Sequence, residues 1–448
     1  MTPHIAIIGG GYSGTLQAIN LLALTDARVT LIERDRLARG VAYSTPSAEH
    51  LLNVRAAGMS AYPDRPSHFA EWLEAKGLGG PDSFAQRRVY GTYLAEQLDA
   101  ARREQGTRLS LVTGEAVDVA QEGTQEVVIL TDGSRIPADI AILSIGNLAP
   151  DVPGFIARAH LPEGVYVADP WAGPILDGLT DKDMVLLIGT GLTAIDAALM
   201  LDTGGFRGHI LALSRRGLLP RAHVAPASGV PAPDGLVPAC LPLLKAVRGS
   251  AGTHGWRAAV DSLRPHTQRL WSEATIGERR RFLRHLRPWW DVHRHRIAPE
   301  IAARIDGMIA EDRLRVAAGK IVSLAGAEEG ADISWRPRHS AEPETLRVRR
   351  IVNCTGPQSD ITHAPDLLIR NLIASGRIRP DACRIGIDVD AGCRAFDAQG
   401  DANATLYAIG PMTKSAWWEI VAVPDLRVQT RALAERMEAA GPFPPAAP

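Results

Sequence analysis

The chain has 448 residues, 46% of them hydrophobic and 22% charged, with a formal net charge of −1. That length exceeds one ordinary domain and predicts two or three. The near-neutral balance lacks the basic surplus of a nucleic-acid binder, and no apolar run approaches the length a bilayer requires. Pro3 and the lack of a basic opening segment argue against a signal peptide. Cys240, Cys354, Cys383 and Cys393 form no Cys-x-x-Cys, which argues against a zinc site and a redox-active disulfide. The expectation is therefore a cytoplasmic protein with no membrane or nucleic-acid partner and no metal, a homodimer being the default assembly.

In chain order, His4–Ile8 reads as a strand entering Gly9-Gly10-Gly11-Tyr12-Ser13-Gly14, followed by an apolar helix and a second strand over 28–32 that ends at Glu33. Strand-like pieces follow near 109–112, 117–119, 127–130 and 139–145. The strand, glycine turn, helix, strand order then recurs: Met184–Ile188, Gly189-Thr190-Gly191-Leu192-Thr193-Ala194, a helix through 195–201 and a strand over 209–213. Residues 215–240 are rich in Pro, Gly and Ala and read as a loop, and 256–312 are charged, Trp-bearing and helical in pattern. Strands return near 350–354 and 406–409, and 441–448 read as a frayed tail. The expected architecture is α/β, with two Rossmann-like three-layer dinucleotide-binding domains, the second inserted in the first. The segments are 1–170, 171–345 with a helical insertion near 215–312, and 346–448.

In Gly9-x-Gly11-x-x-Gly14 the first glycine permits a tight turn and the second lets backbone approach a pyrophosphate. The third allows helix to pack closely on strand. The helix N-terminus adds free N–H groups and the positive end of its dipole. Glu33, ending the second strand, is placed to accept ribose hydroxyls. The motif alone does not choose FAD or NAD; its N-terminal position ahead of a second fingerprint points to FAD, with Tyr12, Ser13 and Arg34 as flanking contacts. In Gly189-x-Gly191-x-x-Ala194 an alanine takes the third place, with Thr190 and Thr193 beside it. Ser214, Arg215 and Arg216 replace the ribose-binding acid. A hydroxyl and two guanidiniums suit a 2′-phosphate that a carboxylate would repel, so this site reads as one for NADPH.

Several motifs carry a resemblance. Arg39-Gly40-Val41-Ala42-Tyr43, His50-Leu51-Leu52-Asn53-Val54, His68-Phe69-x-x-Trp72-Leu73, the run from Trp290 to Arg296, the run from Ile351 to Pro357, Ile409-Gly410-Pro411 and Trp418-Glu419-Ile420 resemble a bacterial FAD/NAD(P)-binding protein family. That family is related to the flavin monooxygenases and N-hydroxylases with two dinucleotide domains. The resemblance implies that Asn53, Gly410 and Glu419 join the fingerprint in holding FAD. It also implies that Lys414, Ser415, Trp417 and Trp418 lie near the flavin, with Asn53, Lys414 and Trp418 as catalytic candidates. A helix over 413–421 would then turn its N-terminus to the flavin pyrimidine edge. Two departures stand out. Gly410-Pro411 replaces the Gly-Asp with which many such proteins end a late strand, and Asp169 stands where the monooxygenase linker carries histidine, although Gly164 and Trp171 survive.

A flavin beside a nicotinamide accepts a hydride, and the electrons then pass to oxygen or elsewhere. The leading expectation is an NADPH-dependent monooxygenase that hydroxylates a small substrate with O2 through a C4a-hydroperoxyflavin, by N-hydroxylation or otherwise. A flavin reductase with another acceptor and a non-catalytic redox sensor stay open. Trp256, Trp271, Trp289 and Trp290, with His293, Arg294, His295 and Arg296, are the candidate substrate contacts, and the guanidiniums suggest an anionic substrate. His293 and His295, two apart, point to different faces of a helix, which argues against a shared metal.

Overall fold

The computed structural model describes residues 2–45, 47–171, 173–224 and 230–440. The frayed tail expected over 441–448 and part of the loop expected over 215–240 lie outside the described residues.

Two parallel-cored sheets form the frame. From edge to edge the first runs Arg394–Phe396, Ala402–Ala408, Ile140–Leu143, His4–Ile8, Arg28–Glu33 and Leu109–Thr113. His4–Ile8 lies at its centre, with Ile5 opposite both Val29 and Ile140. The run is apolar throughout because both faces of the strand are covered. Side chains alternate across a pleated strand, so Ile5, Ile7, Val29, Leu31, Ile140 and Ile142 join one core, while Ala6, Ile8, Ala141 and Leu143 join another. Helices Tyr12–Leu24, Arg87–Gln105 and Val423–Ala439 cover the first face. A three-stranded antiparallel sheet, 116–138, and helix Leu367–Ala374 cover the second. This is the expected three-layer unit.

The second sheet runs Glu344–Val348, Gly330–Pro337, Leu314–Ala327, His209–Ser214, Met184–Ile188, Arg350–Asn353 and Tyr166–Val167. Helices Leu192–Thr203 and Pro299–Ala310 pack on one face through Ile195, Leu199, Ile301 and Ile305. Trp335 and Ile156 fill the other. Two expected boundaries shift as a result. Tyr166–Val167, placed before 170, and Arg350–Asn353, placed after 345, both hydrogen-bond into this second sheet. Pro299–Ala310, placed within the helical insertion, is one of the second unit's own layers. The insertion proper is the helical stretch from Cys240–Asp261 to Arg287–Arg294.

The units are tied by charge as well as by chain. Arg87, the first residue of its helix, pairs with Asp196 on the second fingerprint helix at 2.8 Å, and both side chains are largely buried. Arg304 bridges Asp202 at 2.7 Å and also pairs with Glu49.

Candidate functional site

At the first fingerprint the backbone turns so tightly that side chains have no room. Gly9 has φ +101°, and a Cβ there would lie 2.3 Å from the Ser144 carbonyl oxygen. A Cβ on Gly14 would lie 1.9 Å from the Gly9 oxygen, so the helix can sit on the strand only with glycine here. Helix Tyr12–Leu24 starts at Gly11 with no side-chain cap, which leaves its first N–H groups available. Gly11 faces Gly40: a Cβ on Gly11 would stand 3.6 Å from the Gly40 Cα, so a side chain on either would narrow the gap. The Ser144 hydroxyl is buried there without a partner. An uncapped helix start, a gap kept open by paired glycines and an orphaned hydroxyl fit a pyrophosphate. Tyr12 and Ser13 are buried in this turn.

Glu33 turns inward. Its Oε2 accepts from the Gly10 N–H at 2.7 Å and Oε1 from Asp35 N–H at 3.1 Å. Each oxygen keeps acceptor capacity for a ribose hydroxyl. Arg34 points away and pairs with Glu115 at 2.9 Å. Gly410 lies directly on the fingerprint helix, where a Cβ would meet Ser13 Oγ at 2.8 Å. Its N–H donates to Gln429 Oε1 and its oxygen accepts from Thr413 Oγ1, both at 2.8 Å. Asn53 is half-buried, and its carbonyl oxygen lies 2.9 Å from His223 Nε2.

The second fingerprint repeats the construction. Gly189 has φ +125°, and a Cβ would meet the Cys354 oxygen at 2.3 Å. A Cβ on Gly191 would meet nothing within 4 Å, and helix Leu192–Thr203 begins there without a side-chain cap. Ala194 is buried, and Thr193 half-buried, in that first turn. Ser214 Oγ is 2.9 Å from Thr190 Oγ1 and accepts from the Gly217 N–H at 2.9 Å, so it organises the loop. Arg215 is exposed and Arg216 half-buried; among the described residues neither has an ion pair or a side-chain hydrogen bond.

The C-terminal segment departs from expectation. No helix spans 413–421: Pro411–Thr413 is one 3-10 turn, and the long helix starts at Val423, with Pro424 in its first turn. That proline suits a helix start, where its missing N–H costs nothing. Glu419, expected at the flavin, is buried in a clasp with the insertion. Arg294 grips both its oxygens, with Nη2 to Oε2 at 3.0 Å, and Trp290 Nε1 donates to Oε1 at 2.9 Å. Trp418, also expected at the flavin, stacks on Trp271 with ring centroids 4.4 Å apart, and Trp271 Nε1 donates to the Ser415 carbonyl. The insertion supplies hydrogen-bond partners for Glu419 and the Ser415 carbonyl and a stacking partner for Trp418.

Arg296 is engaged as well, with Asp261 at 2.8 and 3.0 Å. With Arg294 and Arg296 both paired internally, the expectation of an anionic substrate loses these two guanidiniums. His293 lies against Trp256 and His295 near Asp291 at 3.8 Å, so the two rings diverge. Sequence reading missed Arg87, and it named His50 and Trp171 only as parts of separate motifs; the three meet at the junction of the two units. The His50 and Trp171 rings are 4.8 Å apart, and the Arg87 guanidinium is 5.4 Å from the Trp171 ring. Pairings between residues this distant in sequence leave no local signal; only the helix-start position of Arg87 was available.

Residues 6–148 match a protein-family profile described as FAD-NAD(P)-binding. No curated relative matches the chain. Solved structures similar to it include an ornithine hydroxylase from Pseudomonas aeruginosa (14% identity, 98% of this chain, 99% of that one, TM-score 0.66). An L-lysine 6-monooxygenase from Pseudomonas syringae is similar at 16% identity, 98% and 100% coverage and TM-score 0.65. So is an ornithine N-hydroxylase from Kutzneria sp. 744 with reduced FAD, NADP+ and L-ornithine, at 16% identity, 98% and 99% coverage and TM-score 0.63. At these identities the likeness is one of fold: a two-dinucleotide-domain α/β arrangement over the whole chain. Among the described residues no helix is long and apolar enough to cross a membrane.

The C-terminal contacts can be tested by stability. Glu419→Gln leaves the Arg294 charge buried and unpaired, which costs about 3–5 kcal/mol. Adding Arg294→Met should restore a large part of it in urea unfolding, because the pair couples. Burial, with the nearby Arg287 cation, lowers the Lys414 ammonium to a pKa of about 8 from the usual 10.5. Between those values the unfolded chain binds the extra proton, so this residue's contribution makes stability rise with pH. Thermal unfolding of wild type against Lys414→Met should show wild type gaining on the variant from pH 8 to 10.5; a constant difference would contradict it.

Proposed function

We propose that this protein is an FAD- and NADPH-dependent monooxygenase acting on a small molecule. The balance is substrate, O2, NADPH and a proton in, and hydroxylated substrate, water and NADP+ out. The observation that carries the reading is the pair of uncapped glycine turns in one chain, the first closed by Glu33 and the second by Arg215 and Arg216 without ion pairs. FAD would lie along Gly9, Gly11, Tyr12, Ser13 and Gly14, with Glu33 on its ribose and Asn53 and Gly410 flanking it. NADPH would lie along Gly189, Thr190, Gly191, Thr193 and Ala194, with Ser214 shaping the loop and Arg215 and Arg216 available to the 2′-phosphate. When bound, these cofactors supply the hydride and the activation of oxygen; the chain holds and orients them. The similar ornithine and lysine hydroxylases support hydroxylation of a small molecule, on nitrogen or on carbon, as the form the oxygen chemistry takes.

A disulfide acceptor is disfavoured. Cys240, Cys354 and Cys393 are buried, none of the four cysteines is in a disulfide, and burial pushes the Cys240 thiol up to about 11, where little thiolate exists at neutral pH.

The purified protein should be yellow, bleach on anaerobic addition of NADPH, and recover its colour in air with release of hydrogen peroxide when substrate is absent. Reduced flavin that persists in air would overturn the monooxygenase reading, and no reduction at all would favour a redox sensor. Arg215→Ala with Arg216→Ala should weaken NADPH binding by about 10- to 100-fold, the scale of lost charge-assisted hydrogen bonds, and leave NADH binding unchanged. Equal loss for both nucleotides would refute the phosphate assignment.

A further inference from the structure

The helical insertion, with Arg221 and Trp418, lines a partly open cavity of about 430 Å³, within the size range of small-molecule sites. Val247, Val260, Leu270, Trp271, Phe282 and Trp418 supply its apolar walls. Trp256 and Trp289 stand at its rim, 43% and 46% exposed, an unusual placement for so large an apolar ring. The polar groups Arg279 and Glu278 in the wall are already engaged. Arg279 donates to the carbonyl oxygens of Ala274, Ser272 and Ser415, and Glu278 accepts from the Cys240 N–H at 2.7 Å.

A second cavity, of about 470 Å³, shares Arg221, Trp256 and His293 with the first. At this junction the charge balance is positive. Asp261 is paired with Arg296, while Arg221 has no side-chain partner among the described residues and Arg257 bonds only the Ala222 carbonyl. His293 Nδ1 is buried there without a hydrogen bond. Two residues beyond Arg221, His223 contacts the Asn53 carbonyl, so the junction lies on the side of the molecule assigned to FAD.

We infer that this cavity is the substrate site and that it takes an aromatic carboxylate: the ring among the tryptophans, the carboxylate on Arg221 beside His293. The walls offer a zwitterionic amino acid no free carboxylate for its ammonium groups, whereas they offer an aromatic ring stacking partners and an anion an unpaired guanidinium. That the ligand is turned over rests on the monooxygenase reading; its chemistry rests on the cavity alone.

The test is calorimetric titration of the flavin-loaded protein with 4-phenylbutyrate, 4-phenylbutanol, 4-phenylbutylamine and L-ornithine. The carboxylate should bind most tightly. Arg221→Ala, an exposed position, should weaken 4-phenylbutyrate by about tenfold or more and leave 4-phenylbutanol unchanged. Leu244→Trp, which fills the cavity from a half-buried position, should weaken both by at least as much; Leu243→Trp serves if thermal unfolding shows the first variant misfolded. Tighter binding of the amine or of L-ornithine, no binding of any probe, or indifference to the filled cavity would each overturn the assignment. NADPH oxidation then separates the two readings. If NADPH fails to bleach the flavin, the monooxygenase reading fails while the titrations still decide the ligand class. If NADPH bleaches it but 4-phenylbutyrate leaves both NADPH consumption and peroxide release unchanged, the cavity is not the substrate site.

Discussion

The close approach of backbone to backbone at Gly9 and Gly14 is the constraint on which the rest of the molecule depends. A methyl group at Gly14 would sit 1.9 Å from the Gly9 oxygen, so helix Tyr12–Leu24 stacks on the central strand only because that group is missing. The close stacking brings an uncapped helix start to the end of the sheet, where positive potential and free N–H groups converge. Gly189 reproduces the arrangement against the Cys354 oxygen. Two parallel sheets, each presenting one such opening, make a frame for two dinucleotides, and the Arg87–Asp196 pair links the first unit to the second fingerprint helix.

The helical insertion is attached by a different device. Glu419 has φ +66°, a conformation that costs free energy for any residue with a side chain. It is held there by Trp290 and Arg294, while the Trp271–Trp418 stack lies beside it. A buried ion pair of this kind contributes little net stability compared with apolar packing, and its removal from one side is costly. The clasp therefore serves mainly to fix where the insertion sits. With Arg279, Arg294 and Arg296 engaged in internal contacts, the insertion keeps a mainly aromatic and aliphatic interior, and Arg221 supplies cationic character at the junction of the two cavities.

Much of the fold was legible because it is local. The apolar runs at 4–8 and 184–188, the glycine spacing after each and the terminal Glu33 or Ser214-Arg215-Arg216 all lie within about thirty residues of one another, the span of a βαβ unit. What was not legible shares one cause. Arg350–Asn353 looks like the start of the returning first domain, yet its partner is Met184–Ile188, and parallel pairing leaves no mark in the intervening chain. Glu419, expected at the cofactor by its place after Gly410, has its carboxylate held by Arg294, 125 residues earlier in the chain.

The sequence by itself determined two dinucleotide-binding units, the charge that closes each loop and a tryptophan-rich helical insertion, because glycine sterics and charge at a strand end act over a few residues. Only the tertiary structure decided which charged groups remain available. Ion pairing depends on which distant elements meet, and that meeting neutralised Arg294, Arg296 and Glu419 while leaving Arg215, Arg216 and Arg221 without ion pairs among the described residues.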